Sequence, residues 1–302
     1  MWTMAVDAVT VEVVSALGEA GVDSLLLKGP TIAQWLYDGD SRTYVDTDLL
    51  VDPERLSLAQ ATLRRLGFEE KFGPLRHPGM ERPPSAQWQR DTFQVDLHEG
   101  LDGAEADPKY VWAFLWARRV EHVVSGRSVA ALDPSARLVH IALHAAHHGP
   151  AAEKPVRDLR QALARLDDAG WAEASATAAT IEASSAFATG LRLVPEGRAV
   201  LERLGIASRP DAGWFLETGD IPIAAGIERL RLARGVGAKL RMIGYELVPS
   251  REFMRWWSPL ARRSRVGLLA AYVWRWIYLA WHAPEAILAW RRARASSTHP
   301  RE

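Results

Sequence analysis

The stretch from Leu25 to Val51 reads LLLKGPTIAQWLYDGDSRTYVDTDLLV, and the alternation at its end decides how the surrounding chain folds. Neighbouring side chains of a strand point to opposite faces, so Asp46 and Asp48 project from the same face. Two adjacent carboxylates repel each other and are costly to remove from water. The pair therefore predicts a cation, and hard oxygen ligands of this kind suit Mg²⁺ held together with substrate phosphates.

The residues before this strand predict a turn that can receive a phosphate group. Ser24 to Leu27 predicts a short strand, and Lys28, Gly29 and Pro30 predict a tight turn into a helix that runs to about Tyr37. Gly29 lets the backbone approach a ligand closely because it has no side chain. The first turn of the helix offers free N–H groups, and Lys28 adds a positive charge.

The order of strand, glycine turn, helix and Asp-x-Asp strand resembles the nucleotidyltransferases of the DNA polymerase β superfamily. A closer resemblance is to bacterial uncharacterised nucleotidyltransferase-like proteins, which carry Leu-Lys-Gly followed by Arg-x-x-x-Asp-x-Asp-Leu-Leu-Val. Arg42, Asp46, Asp48 and Val51 lie on that second pattern. The resemblance implies a polymerase β-like fold and the transfer of a nucleoside monophosphate.

The glycine turn is where this chain departs from the superfamily. The superfamily usually has Gly-Ser, whereas this chain has Gly29 followed by Pro30 and therefore lacks the hydroxyl that would touch a phosphate. Lys28 or Thr31 could make the phosphate contact in place of the missing serine hydroxyl. The resemblance implies that Lys28, the Gly29 backbone and Arg42 bind the β and γ phosphates of an NTP.

A third carboxylate is predicted on a later strand, between Thr92 and Glu99. Apolar residues alternate there with Gln94, Asp96 and His98, so these three side chains share one face. In the resembled fold a later strand brings a third carboxylate beside the first two, and Asp96 is the candidate. The alternative is that Asp96 lies on the solvated face of an antiparallel strand.

Composition excludes several functional classes. The chain has 302 residues with equal numbers of basic and acidic side chains, which argues against nucleic acid as the partner without excluding an RNA end. The absence of cysteine excludes disulfides, thiolate zinc sites and a cysteine nucleophile. The first twenty residues contain acids and predict an amphipathic helix rather than a secretory signal, so we expect a cytoplasmic protein.

Histidines are concentrated on one predicted helix, which begins at Asp133-Pro134 and ends at Gly149. They are His140, His144, His147 and His148. Three of them recur at intervals of four residues, so they form a stripe. One interpretation is a metal site or catalytic histidines; the other is a polar face that lines a cleft between domains. Lys154 and Asp158 match a Lys-x-x-x-Asp-Leu segment of the resembled proteins, where Lys154 either contacts a phosphate or forms a salt bridge.

The segment from Val266 to Ala283 is nearly continuous in apolar residues, with Arg275 as the interruption. Its length approaches that of a membrane span, and its tryptophans and flanking arginines suit an interface anchor. The alternative, which we favour, is a terminal helix packed on other helices, with Pro284 marking a kink or break. A membrane partner is accordingly not expected.

The sequence predicts an α+β protein in two domains. Residues 1–106 are expected to form a polymerase β-like domain with a small mixed sheet, and residues 107–302 a mostly helical domain that ends in the apolar helix. The active site is expected between the two. The sequence specifies neither the oligomeric state nor a role for the histidines.

The predicted activity is Mg²⁺-dependent transfer of a nucleoside monophosphate from an NTP, such as ATP, to an acceptor hydroxyl. Asp46 and Asp48 would bind the metal, and Asp96 would complete a second metal position or accept the proton of the acceptor. The acceptor, a small molecule, a peptide or a protein, is left open, as is the choice of NTP. The alternative is a catalytically silent nucleotide-binding or scaffold protein, associated with a membrane through its C-terminal helix.

Overall fold

The computed structural model describes residues 2–37, 42–72, 85–206, 222–233 and 235–298. The chain divides into two compact units. The described residues of the first unit are 2–37, 42–72 and 85–206, and those of the second unit are 222–233 and 235–298.

The described part of the first unit contains seven strands, which form one sheet. They are β1 (Ser24–Leu26), β2 (Asp46–Val51), β3 (Glu69–Phe72), β4 (Ser85–Arg90), β5 (Phe93–His98), β6 (Val120–Val124) and β7 (Arg127–Ala131). The helices of the same unit are α1 (Trp2–Glu19), α2 (Pro30–Leu36), α3 (Leu56–Arg65), α4 (Pro108–Ala117), α5 (Pro134–His148), α6 (Glu153–Arg165), α7 (Asp168–Thr180), α8 (Ser184–Arg192) and α9 (Pro195–Arg203).

The sheet is mixed, and its strand order is β3-β4-β5-β2-β1-β7-β6. β2 runs parallel to β5 and antiparallel to β1, and β1 runs parallel to β7. The remaining neighbours are antiparallel. The expected α+β class with a mixed sheet is therefore confirmed, and the strand that carries the two aspartates lies near the centre of the sheet.

One face of the sheet is covered by α1 and α3. Leu49 and Val51 of β2 pack there against Val13 and Leu17 of α1 and Leu63 of α3, and all five are buried. Full burial of such a side chain is worth about 1.5–3 kcal/mol. Because one face of β2 is anchored in this core, alternation along the strand turns its aspartates toward the opposite face.

Helix α5 is the most buried helix of the first unit and packs against α6, α7 and α8. It begins where the sequence predicts, since the Asp133 side chain accepts a hydrogen bond from the Ala136 N–H at 2.9 Å and Pro134 follows the cap. It ends at Gly149, which has a φ of 75°. At Gly190 the backbone of α8 approaches the carbonyl of Ala142 so closely that a Cβ atom would lie 2.1 Å from the oxygen.

The sheet continues beyond the domain boundary expected at residue 106. The residues from Ser128 to Leu132 predict a small strand by their sequence, and the structure has β7 there, whose Ala131 pairs with Leu26 of β1. β6 was not predicted, and it forms a hairpin with β7. The compact first unit therefore includes residues 107–206; that residues 1–106 form a domain of their own stays a prediction.

The described residues of the second unit are helical. They form α10 (Pro222–Leu232), α11 (Val236–Leu247), α12 (Arg251–Trp257), α13 (Pro259–Arg263) and α14 (Arg265–Thr298). The arginine-rich composition from Ala224 to Ile243 predicts a single helix, and this prediction is wrong, because Gly235 takes a φ of 88° and caps a new helix. α14 continues through Pro284 without ending. Among the helices described, none has the combination of length and apolarity that crossing a membrane requires.

Candidate functional site

Three aspartates meet on the face of the sheet opposite α1 and α3. Each of Asp46, Asp48 and Asp96 offers a carboxylate oxygen, and these oxygens all lie within 4.8 Å of one another. The register of the sheet explains this, because β2 and β5 are adjacent and Asp48 is the direct partner of Asp96. Strand alternation then adds Asp46 on the same face. Sequence reasoning named all three residues, and the structure brings them together.

Asp48 is the most enclosed of the three carboxylates, with 1% of the residue exposed. Its Oδ1 atom lies 3.0 Å from Lys28 Nζ and 3.4 Å from His98 Nε2. Burial alone would raise the pKa of Asp48, but the charge of Lys28 and the contact with His98 outweigh burial and lower that pKa to about 2. Asp48 is therefore ionised at neutral pH.

The second oxygen of Asp48 provides a test of whether a metal ion fits this site. Oδ2 of Asp48 is buried and has no hydrogen-bond partner among the described residues. A buried carboxylate oxygen without a partner is costly, and a cation is the group that would satisfy it. Together with the neighbouring oxygens of Asp46 and Asp96, it forms a set of hard donors suited to a divalent metal ion.

Lys28 lies between the two aspartates of β2. Its Nζ atom is 3.0 Å from Asp48 and 3.9 Å from the Oδ2 atom of Asp46. Burial would lower the pKa of Lys28, but the aspartate charges outweigh burial, so the net shift of its pKa is upward. The ammonium group is therefore charged, and it partly neutralises the acidic cluster.

Asp96 differs from Asp48 in its electrostatic surroundings. Burial, followed by the charge of Asp48, raises the pKa of Asp96 above its usual range. Its Oδ1 atom accepts a hydrogen bond from the Gln94 side chain at 3.0 Å. The alternative of a solvated strand face does not describe Asp96, because the residue is half-buried and its oxygen lies beside those of Asp46 and Asp48. A carboxylate with a raised pKa has an increased affinity for a proton.

The glycine turn precedes α2, and its geometry requires glycine. Gly29 has a φ of 75° and a ψ of −119°, which other residues rarely adopt. Its Cα faces the ring of Tyr44, and a Cβ atom there would lie 3.5 Å from that ring. The turn holds Lys28 at the end of β1, directly beside the aspartates of β2.

Arg42 is part of a buried ion pair that sequence reasoning did not foresee. Its Nε and Nη2 atoms donate to the two oxygens of Asp158 on α6, at 2.8 and 2.6 Å. The Tyr37 hydroxyl donates to the same carboxylate at 2.6 Å. Nη1 of Arg42 lies 3.5 Å from the carbonyl oxygen of Gly29. These contacts tie the glycine turn to α6; that Arg42 also binds phosphate stays a prediction.

His140, the first residue of the histidine stripe on α5, is packed inside the protein and is not solvated. His140 is 7% exposed, and neither ring nitrogen has a hydrogen-bond partner among the described residues. Burial, followed by the charge of Lys28, lowers the pKa of His140 to about 3, so this ring is neutral. The rings of His144 and His148 are 4.4 Å apart between centroids. In the described residues, three possible metal ligands come together in the aspartate cluster and not in this stripe.

Lys154 lies on α6, one helical turn before Asp158. Burial, followed by the positive charge of Arg42, lowers the pKa of Lys154. The negative charges of Asp46 and Asp158 act in the opposite direction. Lys154 therefore belongs to the electrostatic surroundings of the aspartate cluster; that it contacts a phosphate stays a prediction.

A mixed sheet that carries clustered aspartates beside a glycine turn defines a nucleotidyltransferase-like protein. The chain belongs to a family described as uncharacterised nucleotidyltransferases, whose model matches residues 3–197. The match includes the aspartates, the glycine turn and the helices up to α8, and it ends in the first turn of α9; the described residues of the second unit lie outside it. No curated protein matches the chain.

Two solved structures resemble part of the chain. A solution structure of the antibiotic-resistance factor ANT(2'')-Ia is 18% identical and covers 59% of this chain and 94% of that one, with a TM-score of 0.43. A crystal structure of ANT(2'')-Ia in complex with adenylyl-2''-tobramycin is 17% identical and covers 57% of this chain and 97% of that one, with a TM-score of 0.40. The family assignment rests on the family match and not on these structures.

Proposed function

We propose that the protein transfers a nucleoside monophosphate from an NTP to an acceptor hydroxyl and releases pyrophosphate. The observation that carries the proposal is the cluster of Asp46, Asp48 and Asp96, whose oxygens lie within 4.8 Å of one another beside Lys28. The family match supports the reaction class. ATP is the first donor to test, and the cytoplasm, where NTPs are made, is the proposed location.

Asp46 and Asp48 would hold Mg²⁺, which is the metal ion that prefers carboxylates together with substrate phosphates. When bound, the ion would draw negative charge from the α-phosphoryl group as the transition state forms. The unpartnered Oδ2 atom of Asp48 supports this assignment, because the protein itself leaves it unsatisfied. Asp46 supplies the more accessible oxygens of the pair.

Lys28 and the Gly29 backbone would orient the β and γ phosphates. The Lys28 ammonium lies within 4 Å of both aspartates of β2, so a small movement of a flexible side chain would bring it to a phosphate oxygen. Arg42 would act on the same turn through its contact with the Gly29 carbonyl. Orienting the leaving group in this way lowers the barrier without any covalent step on the protein.

Asp96 would receive the proton of the acceptor. The hydroxyl oxygen attacks the α-phosphorus, a new P–O bond forms, and the bond to the bridging oxygen of the β-phosphate breaks with departure of pyrophosphate. The hydroxyl proton passes to Asp96, whose raised pKa suits a proton acceptor. If Asp96 instead holds a second metal ion, its carboxylate would still lie beside the hydroxyl oxygen of the acceptor.

The test is pyrophosphate release, measured with each NTP, Mg²⁺ and a panel of small hydroxylated molecules, peptides and proteins. The wild-type chain should release pyrophosphate with at least one acceptor, whereas Asp46→Asn should lose activity by at least roughly a hundredfold. Calorimetric titration of Asp46→Asn should show the matching loss of Mg²⁺-dependent NTP binding. Unchanged NTP affinity in this variant would exclude the proposed site.

A further inference from the structure

Helix α14 of the second unit exposes a continuous apolar face. The outer face, as we name it, consists of Val266, Leu269, Val273, Ile277, Trp281 and Leu288. Val266 is 76% exposed, Trp281 is 81% exposed, and the other four are more than half exposed. At 3.6 residues per turn these six side chains fall within an arc of roughly 120° along about 33 Å of helix. Apolar patches of this extent commonly mark an interaction surface.

Unlike an ordinary surface helix, α14 has apolar residues on both sides, because its packed side also belongs to two clusters of buried apolar residues. Its inward side buries Arg275, which donates to the Glu246 carboxylate at 2.9 Å and stacks over the ring of Phe253. The Tyr272 hydroxyl on the same side donates to the Pro249 carbonyl at 2.6 Å. A packed helix would normally turn its apolar side inward. The sequence-based expectation of a terminal helix packed by its apolar residues is therefore met on one side only.

The surroundings of the outer face are basic. Residues 251–298 contain nine arginines and two glutamates. Arginines flank the outer face at both ends, with Arg263 and Arg265 before Val266 and Arg291 after Leu288. An apolar stripe with tryptophan, bordered by arginine, suits the boundary between lipid headgroups and acyl chains. Anionic headgroups complement the arginine excess, which a neutral lipid or an apolar protein groove would not do.

We propose that α14 docks the protein on an anionic lipid surface, with the outer face inserted among the acyl chains and the flanking arginines on the headgroups. The helix would lie along the surface, because an exposed stripe with basic ends is the pattern of an interfacial helix. This inference is independent of the proposed nucleotidyl transfer. It concerns residues that lie outside the match to the family.

The test is cosedimentation of the full chain with vesicles of phosphatidylcholine alone and of phosphatidylcholine mixed with phosphatidylglycerol. Binding to the mixed vesicles should be at least roughly tenfold tighter and should weaken with salt. The double variant Ile277→Ser/Trp281→Ser should lose binding to both. The double variant Arg265→Gln/Arg291→Gln should lose the preference for the anionic vesicles.

The matched control is Val123→Ser, which removes an apolar side chain that is 60% exposed on β6 of the first unit. It should bind vesicles as the wild type does. Binding by Ile277→Ser/Trp281→Ser at the wild-type level would overturn the proposal, as would absence of binding by the wild type at low salt. Light scattering could instead show that the wild type is a dimer and that Ile277→Ser/Trp281→Ser is a monomer. That result would assign the outer face to a second copy of the chain and would also overturn the proposal.

Discussion

Lys28 Nζ lies 3.0 Å from Oδ1 of Asp48, so the ammonium group is the counter-charge of the most enclosed carboxylate in the cluster. The same carboxylate has an unpartnered oxygen and belongs to the proposed metal ligands. In the absence of nucleotide, Lys28 and a divalent ion therefore compete for the same negative charge. With an NTP present, the phosphates offer Lys28 another partner.

This competition predicts opposite effects of Lys28→Met on two ligands. Metal affinity without nucleotide should rise by roughly tenfold or more, because one positive charge leaves the cluster. Affinity for the NTP should fall, because a phosphate contact is lost. Mn²⁺ titration followed by electron paramagnetic resonance measures the first effect, and calorimetry the second. Lys71→Met on β3 is the control, and weaker metal binding by Lys28→Met would contradict the interpretation.

The buried pair of Arg42 and Asp158 predicts strong coupling in stability. Arg42→Met or Asp158→Leu alone should lower the free energy of unfolding by about 3–5 kcal/mol, because each leaves a buried charge unpaired. The double variant should lose less than the sum of the two single losses, since neither charge remains. Urea unfolding measures all three. A strictly additive double variant would mean that the ion pair does not couple these residues.

The variants Asp158→Asn and Arg42→Met together separate two roles of Arg42. If Arg42 acts by holding the glycine turn, Asp158→Asn should weaken NTP binding as well, because it releases the arginine from α6. If Arg42 binds phosphate directly, Asp158→Asn should preserve or strengthen NTP binding, because the guanidinium becomes available. Nucleotide titration of Asp158→Asn beside Arg42→Met distinguishes the two roles.

The N-cap of α5 predicts a pH-dependent contribution to stability. Although burial acts to raise the pKa of Asp133, the hydrogen bonds from Arg118 and from the Ala136 N–H outweigh it and lower that pKa. Asp133 therefore stabilises the fold above its unfolded pKa of about 3.9, and this contribution is lost as the pH falls through the lower folded pKa. Asp133→Asn keeps a cap oxygen but loses the charge. At neutral pH it should be less stable by about 1 kcal/mol, and the gap should close in acid. Thermal unfolding across pH measures the gap; a constant gap would contradict the linkage.

The close approach of α5 and α8 predicts that Gly190 tolerates no side chain. Gly190→Ala should lower the free energy of unfolding by about 1–3 kcal/mol, because its Cβ would lie 2.1 Å from the Ala142 carbonyl oxygen and the helices must separate. Gly18→Ala is the matched control, since a Cβ at Gly18 in α1 meets nothing within 4 Å. The control should raise stability by up to about 1 kcal/mol through helix propensity. Equal behaviour of the two variants would exclude the packing argument.

The aspartate cluster could be predicted because its determinants are local. A period of two along β2 and β5 orients the side chains, and resemblance to known proteins supplies the pairing of the strands. The Arg42–Asp158 pair could not be derived, because its members are 116 residues apart and nothing local in either segment specifies the other. β6 and β7 were assigned to a helical domain for the same reason. The parallel pairing of β7 with β1 is a long-range contact that leaves no periodicity in the sequence.

For the C-terminal helix, the sequence showed the apolar residues but not which of them are packed. Its apolar residues were recognised, but apolarity alone does not tell which side of a helix is packed. The inward side carries Arg275, whose partner Glu246 lies on α11 and is 29 residues away in the chain. Apolar residues occur around most of α14, and the structure packs one side of them while it leaves the outer face exposed.

The variant Asp96→Asn separates NTP binding from the transfer reaction. If Asp46 and Asp48 bind the nucleotide-associated metal, Asp96→Asn should change NTP affinity by no more than about threefold, or roughly 0.65 kcal/mol. Turnover should nevertheless fall by about 10²–10⁴-fold, because the acceptor proton loses its carboxylate. Pyrophosphate release and nucleotide titration on the same preparation measure the two quantities. Asp91→Asn, in the β4–β5 turn, is the control and should retain both. Near-normal turnover in Asp96→Asn would remove this residue from the reaction and leave the proton to another base.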